Sequence, residues 1–170
     1  GGLFAARCYL KGAEALGLVL INTLRQDGPR LQWIGDALVR AAEVGGLDLF
    51  RDMYLPLLMN ADWLEANRSN FLKSDVKYES LSIETGHYKL LAEAGREADW
   101  DIPYERLELP VLIVTGLQDH VFLEEDVVSD LFSRLPNGRQ VDIPDAGHLI
   151  PAERPEALVD CLLSFIKEVS

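Results

Sequence analysis

Three short apolar runs separated by helical periodicity set the plan of this chain. Leu16-Gly17-Leu18-Val19-Leu20-Ile21 is nearly continuous in apolar residues, the pattern of a strand covered on both faces; a half-exposed strand would alternate. Val111-Leu112-Ile113-Val114 repeats the pattern between Pro110 and Thr115-Gly116. A shorter strand is predicted from Arg139 to Ile143, where Val141 and Ile143 alternate with polar neighbours. Strands that alternate with helical patterns predict βαβ units, a mostly parallel sheet and an α/β fold.

The stretch between the first two strands, about residues 25 to 106, carries helix periodicity and no convincing strand. Pro29 can start a helix whose apolar positions Leu31, Ile34, Leu38 and Ala41 recur at helical spacing until Gly45-Gly46 ends it. Asp48 can cap the next helix, which runs through Met59, and further helices are predicted over 63–72 and 74–94. The opening residues Gly1 to Leu10 are small, apolar and helix-compatible, and stop at Lys11-Gly12. The last helix starts near Pro155, with Leu158, Leu162 and Phe165 on one face. The predicted organisation is therefore a core segment 1–24, a helical insert 25–106 and a second core segment 107–170.

Composition removes several classes of function. A chain of 170 residues, 48% hydrophobic and 26% charged, is built to bury a core. Its net charge of -12 disfavours a phosphate-backbone partner, so no nucleic acid is expected. No run reaches the roughly 20 apolar residues that span a bilayer, and the first residues lack a secretory pattern, so a cytoplasmic protein without a membrane partner is expected. Cys8 and Cys161 form no CxxC pair and have no histidine at ligand spacing; they are read as buried free thiols, with neither metal nor disulfide. Asn67-Arg68-Ser69 fits a glycosylation pattern and is read as chance.

The residues with chemistry lie after the strands. In an open parallel sheet, functional groups collect beyond the carboxyl ends of the strands. Two residues meet that condition: Asp119, just past the second strand, and His148, just past the third. An imidazole acts as a general base when a carboxylate bonded to its other ring nitrogen fixes its tautomer, so the two side chains are expected to converge. Glu124, Glu125 and Asp126 read as the solvated start of the following helix, His120 as a loop residue, and His87 as a surface or core residue of the insert.

Three segments together resemble the α/β-hydrolase family over essentially the whole chain. Leu109-Pro110-Val111-Leu112-Ile113-Val114-Thr115-Gly116-Leu117-Gln118-Asp119 is similar to the strand that leads to that family's acid. Ala146-Gly147-His148, followed by Glu153-Arg154-Pro155, resembles its histidine loop and final helix. Gly1-Gly2, opening a small-residue helix, resembles the end of the nucleophile elbow G-x-S-x-G. The resemblance implies the C-terminal part of a hydrolase sheet with flanking helices and an all-helical cap. It implies catalytic roles for Asp119 and His148, and a serine and oxyanion hole upstream of Gly1, which leaves this segment alone inert.

The implied chemistry of the intact protein is acyl transfer through an acyl-serine, on an ester or related small acyl substrate with an apolar group. No cofactor is implied, and the missing N-terminal part of the fold is the implied partner. Ser69, Ser74, Ser80 and Ser82 lack an elbow context. Peroxidation, C–C cleavage and lyase chemistry on the same triad stay open, as do a non-catalytic receptor or scaffold and one half of a split assembly. In the insert, Trp33, Phe50, Met53, Tyr54, Leu57, Leu58, Met59 and Trp63 are expected to be mostly core, with a minority lining an apolar pocket.

Overall fold

The computed structural model describes residues 1–71 and 73–170 and divides into two compact units, Gly1–Gln26 with Trp100–Ser170, and Asp27–Asp99. The first unit holds a three-stranded parallel sheet in the order β1 (Leu18–Ile21), β2 (Val111–Gly116), β3 (Gly138–Ile143). Leu18 pairs with Val111, and Val111 with Gly138, so all three strands end on one side. The central strand is buried at all six positions, as its unbroken apolar run requires. β3 is half-buried from Gly138 to Val141, with Asp142 exposed and Ile143 buried at its carboxyl end.

Helices cover this sheet. α1 (Gly2–Leu10) precedes β1 and ends at Gly12, whose φ of 98° is open to glycine at little cost. Gly2 is needed for contact: a Cβ there would lie 2.2 Å from Thr23 Oγ1. The four-residue α6 (Ile150–Glu153) leads into α7 (Pro155–Val169), which starts at the predicted proline; α5 (Glu125–Ser133) lies between β2 and β3. Leu158 and Phe165 of α7 join Leu112, Val114, Ile143, Ala146 and Ile150 in one hydrophobic core. Both cysteines are free, but Cys8 is exposed and Cys161 half-buried, which corrects the expectation of two buried thiols. α1 turns Leu3 and Ala6 inward, a spacing that puts Cys8 on its outer side.

The second unit is helical. α2 (Pro29–Leu58) begins with proline in its first turn and is interrupted at Gly45-Gly46, both as predicted: Gly46 has non-helical backbone, and two helical segments meet there at a kink. Gly46 takes φ 69°, and a Cβ there would meet the Glu79 carbonyl oxygen at 2.2 Å. The Ala42 carbonyl, whose partner in an unbroken helix would be the Gly46 N–H, accepts the N–H of Leu81 at 3.0 Å. A segment from outside the helix therefore completes the kink, and Asp48 is not a cap; it pairs with Arg51 one turn on.

The remaining helices are shorter than predicted. α3 (Ala61–Asn67) is capped by Asn60, whose side chain accepts the Trp63 N–H at 2.8 Å, and passes into a 3₁₀ turn at Arg68–Asn70. The last position of the helix predicted over 63–72 lies outside the described residues. The helix predicted over 74–94 is confined to α4 (Gly86–Glu97), because Thr85 caps its start by accepting the Tyr88 N–H. The Tyr88 hydroxyl then donates to Glu43 of α2 at 2.7 Å. The expectation of a mostly buried aromatic and methionine set is corrected as well: Leu58 and Met59 are buried, while Trp33 and Met53 are exposed. Among the described residues, no helix is long and apolar enough to cross a membrane.

Candidate active site

The carboxyl ends of the three strands lie side by side, and each is followed by a polar residue: Asn22 directly after β1, Asp119 three residues after β2, and His148 five after β3. The Asp119 and His148 loops are joined through backbone. The Leu117 N–H donates to the Ile143 carbonyl (3.1 Å) and the Gln118 N–H to that of Ala146 (2.8 Å). Gly116 permits this approach, since a Cβ there would lie 2.0 Å from the Gly147 carbonyl oxygen.

Asp119 and His148 meet. Asp119 Oδ2 stands 2.6 Å from His148 Nδ1, while Oδ1 accepts the backbone N–H groups of Val121 and Phe122, each at 3.0 Å. An ionised carboxylate only accepts, so the shared proton belongs on Nδ1 and Nε2 carries the lone pair. The Asp119 side chain is 2% exposed and that of His148 23%, so the acid is shielded while the imidazole stays within reach of a reactant. The Phe122 ring packs against the imidazole with centroids 4.7 Å apart. On its other contacts, the Arg25 guanidinium lies over the Trp100 ring at 3.5 Å and over Phe122 at 4.2 Å.

Two further residues hold the histidine loop, and the sequence reading did not single them out as functional. The Glu153 carboxylate, itself buried, accepts the N–H groups on both sides of His148, from Gly147 at 2.9 Å and from Leu149 at 3.0 Å. The Asn22 amide donates to the carbonyls of Gly147 (3.1 Å) and His148 (2.8 Å) and accepts the Gly116 N–H (2.8 Å). Asn22 adopts φ 47°, a left-handed conformation that asparagine tolerates better than most residues. The rule that selects Asp119 and His148, a polar residue just beyond a strand end, also selects Asn22 when it is applied to the first strand. His120 and His87 are exposed and take no part in this pair.

Nearby ionisable groups respond to the same packing. Tyr104 is buried, and burial pushes its phenol up to about 12 against the opposing pull of the Arg25 cation. Asp145, at the start of the histidine loop, is held below the usual carboxylate range by the hydrogen bond from Arg154 Nε at 2.6 Å. A cavity of about 10 Å³ lined by Asn22, Thr23, Thr115, Asp119 and Phe122 lies beside the acid. It has room for roughly one water and none for a substrate. Among the described residues, no cluster of three or more His, Cys, Asp or Glu is placed to hold a metal ion.

No protein-family profile matches the chain. In sequence it is 41% identical over 66 residues to the putative non-heme bromoperoxidase BpoC of Mycobacterium tuberculosis, an alignment covering 39% of this chain and 25% of that protein. The crystal structure of BpoC superposes with a TM-score of 0.65 at 22% identity, covering 100% of this chain and 65% of the other. A thermophilic esterase from Thermogutta terrifontis, solved with malate bound, gives a TM-score of 0.72 at 20% identity, with 99% and 62% covered. MGS-M2, an alpha/beta hydrolase enzyme from a Medee basin deep-sea metagenome library, gives 0.73 at 20%, with 97% and 60% covered. The chain thus spans less than two thirds of the length of each of these proteins.

Proposed function

We propose that this chain, which has the α/β-hydrolase fold, is the acid- and histidine-bearing part of a serine-type hydrolase that acts on small acyl esters. The observation that carries the reading is the 2.6 Å contact between Asp119 Oδ2 and His148 Nδ1, on adjacent loops at the carboxyl ends of the sheet. The part of the fold that this chain does not span supplies the serine and the oxyanion-hole donors.

In this scheme His148 Nε2 removes the proton of the serine hydroxyl as its oxygen attacks the ester carbonyl. Asp119 stabilises the imidazolium that forms. The tetrahedral intermediate collapses as the alcohol oxygen takes the proton from Nε2, leaving an acyl-serine. Water then gives a proton to Nε2 and its oxygen to the acyl carbon, and the serine oxygen leaves with that proton. The helical unit 27–99 falls in chain order where a cap insertion would, between β1 and β2.

The test is an intact-mass spectrum of the full protein after incubation with a fluorophosphonate probe, alongside hydrolysis of p-nitrophenyl esters of increasing chain length. One adduct and ester turnover, both lost in His148→Ala, are the expected results. A protein that takes no probe and cleaves no ester would point instead to a non-catalytic use of the fold.

A further inference from the structure

We infer that Asn22 is a positioning residue for the Asp119–His148 pair, acting as a three-way tie between the strand ends. The inference rests on the proposed role of His148 as base. Its ground is geometric. One amide donates to two successive carbonyls, Gly147 and His148, and accepts the N–H of Gly116 at the end of the strand that carries the acid. The Gly147 carbonyl lies where Gly116 leaves room for it, 2.0 Å from the place of a missing Cβ. Glu153 holds the N–H groups flanking His148 from the opposite side. The peptide groups on both sides of the histidine are thereby fixed by side chains, while Asp119 holds the ring.

The tie needs two donors and one acceptor on a short side chain, which only an amide provides. It also needs a residue at ease with φ 47°. Asn22→Gly keeps that backbone conformation and removes all three bonds. Asn22→Asp keeps the shape and the acceptor but removes both donors and sets a charge against two carbonyl oxygens. A space-filling role would be rescued by the aspartate, and a positioning role would not.

The experiment measures ester turnover and the imidazole NMR signals of the full protein and both variants. The His148 ring signals are assigned in the full protein by their disappearance in His148→Ala. Both variants are expected to lose about 100-fold in kcat with little change in KM, the cost of a small misplacement of a reacting group. Both should also lose or broaden the far-downfield Nδ1 proton of His148. Should Asn22→Asp retain the parent kcat and the downfield proton, the inference is wrong, whatever Asn22→Gly does. If the unmodified protein cleaves no ester, the functional proposal fails, and the NMR signal still decides the positioning role. If neither variant folds, hydrogen exchange on the unmodified protein decides. The Asn22 amide and His148 Nδ1 protons should open together across a denaturant series, and independent opening overturns the tie.

Discussion

The buried carboxylates of the sheet unit, Asp119 and Glu153, are held differently from Asp52 of the helical unit. Asp119 and Glu153 each accept two backbone N–H groups from nearby residues, and those residues flank or form the loops of the proposed site. Asp52 is as well buried, but its partners are side chains: the Arg51 guanidinium, at 2.9 and 3.0 Å, and the Tyr78 hydroxyl at 2.9 Å. Backbone donors bring no rotamers of their own, so they fix a carboxylate at little further entropic cost, whereas Arg and Tyr must each be ordered to reach one. The sheet unit therefore specifies where a carboxylate points. The helical unit uses one to join two segments of chain.

The largest effect should come from Asp119→Asn. Oδ1 faces two backbone donors, so the asparagine oxygen takes that place and its NH₂ group faces His148. The imidazole must then accept at Nδ1 and carry its proton on Nε2, the tautomer that cannot act as base. Ester turnover should fall by about 10⁴-fold with the fold unchanged. A loss below tenfold, measured by steady-state kinetics with a circular-dichroism check of folding, would remove Asp119 from the proposed mechanism.

Gly116→Ala tests how tightly the loops of the sheet unit are joined. The added methyl would meet backbone oxygens, Gly147 at 2.0 Å and Ala146 at 2.8 Å, and neither can swing aside as a side chain would. Relief requires the histidine loop to move from β2, at a cost of about 3 kcal/mol. Urea unfolding checks this, and a change under 1 kcal/mol would mean that the loops have slack.

The sheet-end loops were more legible in sequence than the helical unit, for reasons that fall on particular residues. Asp119 follows a continuous apolar run that reads as a buried strand, His148 follows a shorter one in which Val141 and Ile143 alternate with polar residues, and a parallel sheet leaves one end for their loops. Asn22 and Glu153 were not identified as partners of that pair, because their bonds span 94 to 126 residues in one case and depend on a loop closing over itself in the other. In the helical unit, Gly45-Gly46 carried a true signal of interruption. Whether a glycine pair ends a helix or bends it was decided by Leu81 and Glu79, more than thirty residues away. Residues 74–85 have helix-compatible composition, but Leu81 of that stretch is drawn into the kink and Thr85 caps a later start.

Tyr104 brings the comparison to pH. Its phenol is raised by burial from an ordinary value near 10 to about 12, so the folded state keeps a proton that the unfolded chain gives up. The sign follows: the contribution is fully present below pH 10 and is lost as pH rises from 10 through 12. The loss should total roughly 2 to 3 kcal/mol. Tyr104→Phe should unfold in urea with a shallower decline of stability over that window than the parent. Parallel curves would show that the hydroxyl is hydrated in the folded protein.

The smallest effect is expected from Asp52→Asn, and it sharpens the contrast best. The amide can still accept from the Tyr78 hydroxyl, and what is lost is the charge that Arg51 faces. Arg51 is itself about one-third exposed and keeps Asp48 as a second partner, so solvent and that carboxylate offset part of the loss. Stability should fall by about 1 to 2 kcal/mol. The Tyr78 phenol, held above its ordinary value first by the hydrogen bond to Asp52, keeps a bond to the amide oxygen but loses the carboxylate's charge, and should move part of the way back. An ultraviolet titration compared with Tyr78→Phe resolves that tyrosine among the five in the chain. An unmoved Tyr78 titration would mean that the carboxylate does not join its two segments through the phenol. The division between backbone-held and side-chain-held carboxylates would then rest on Arg51 alone.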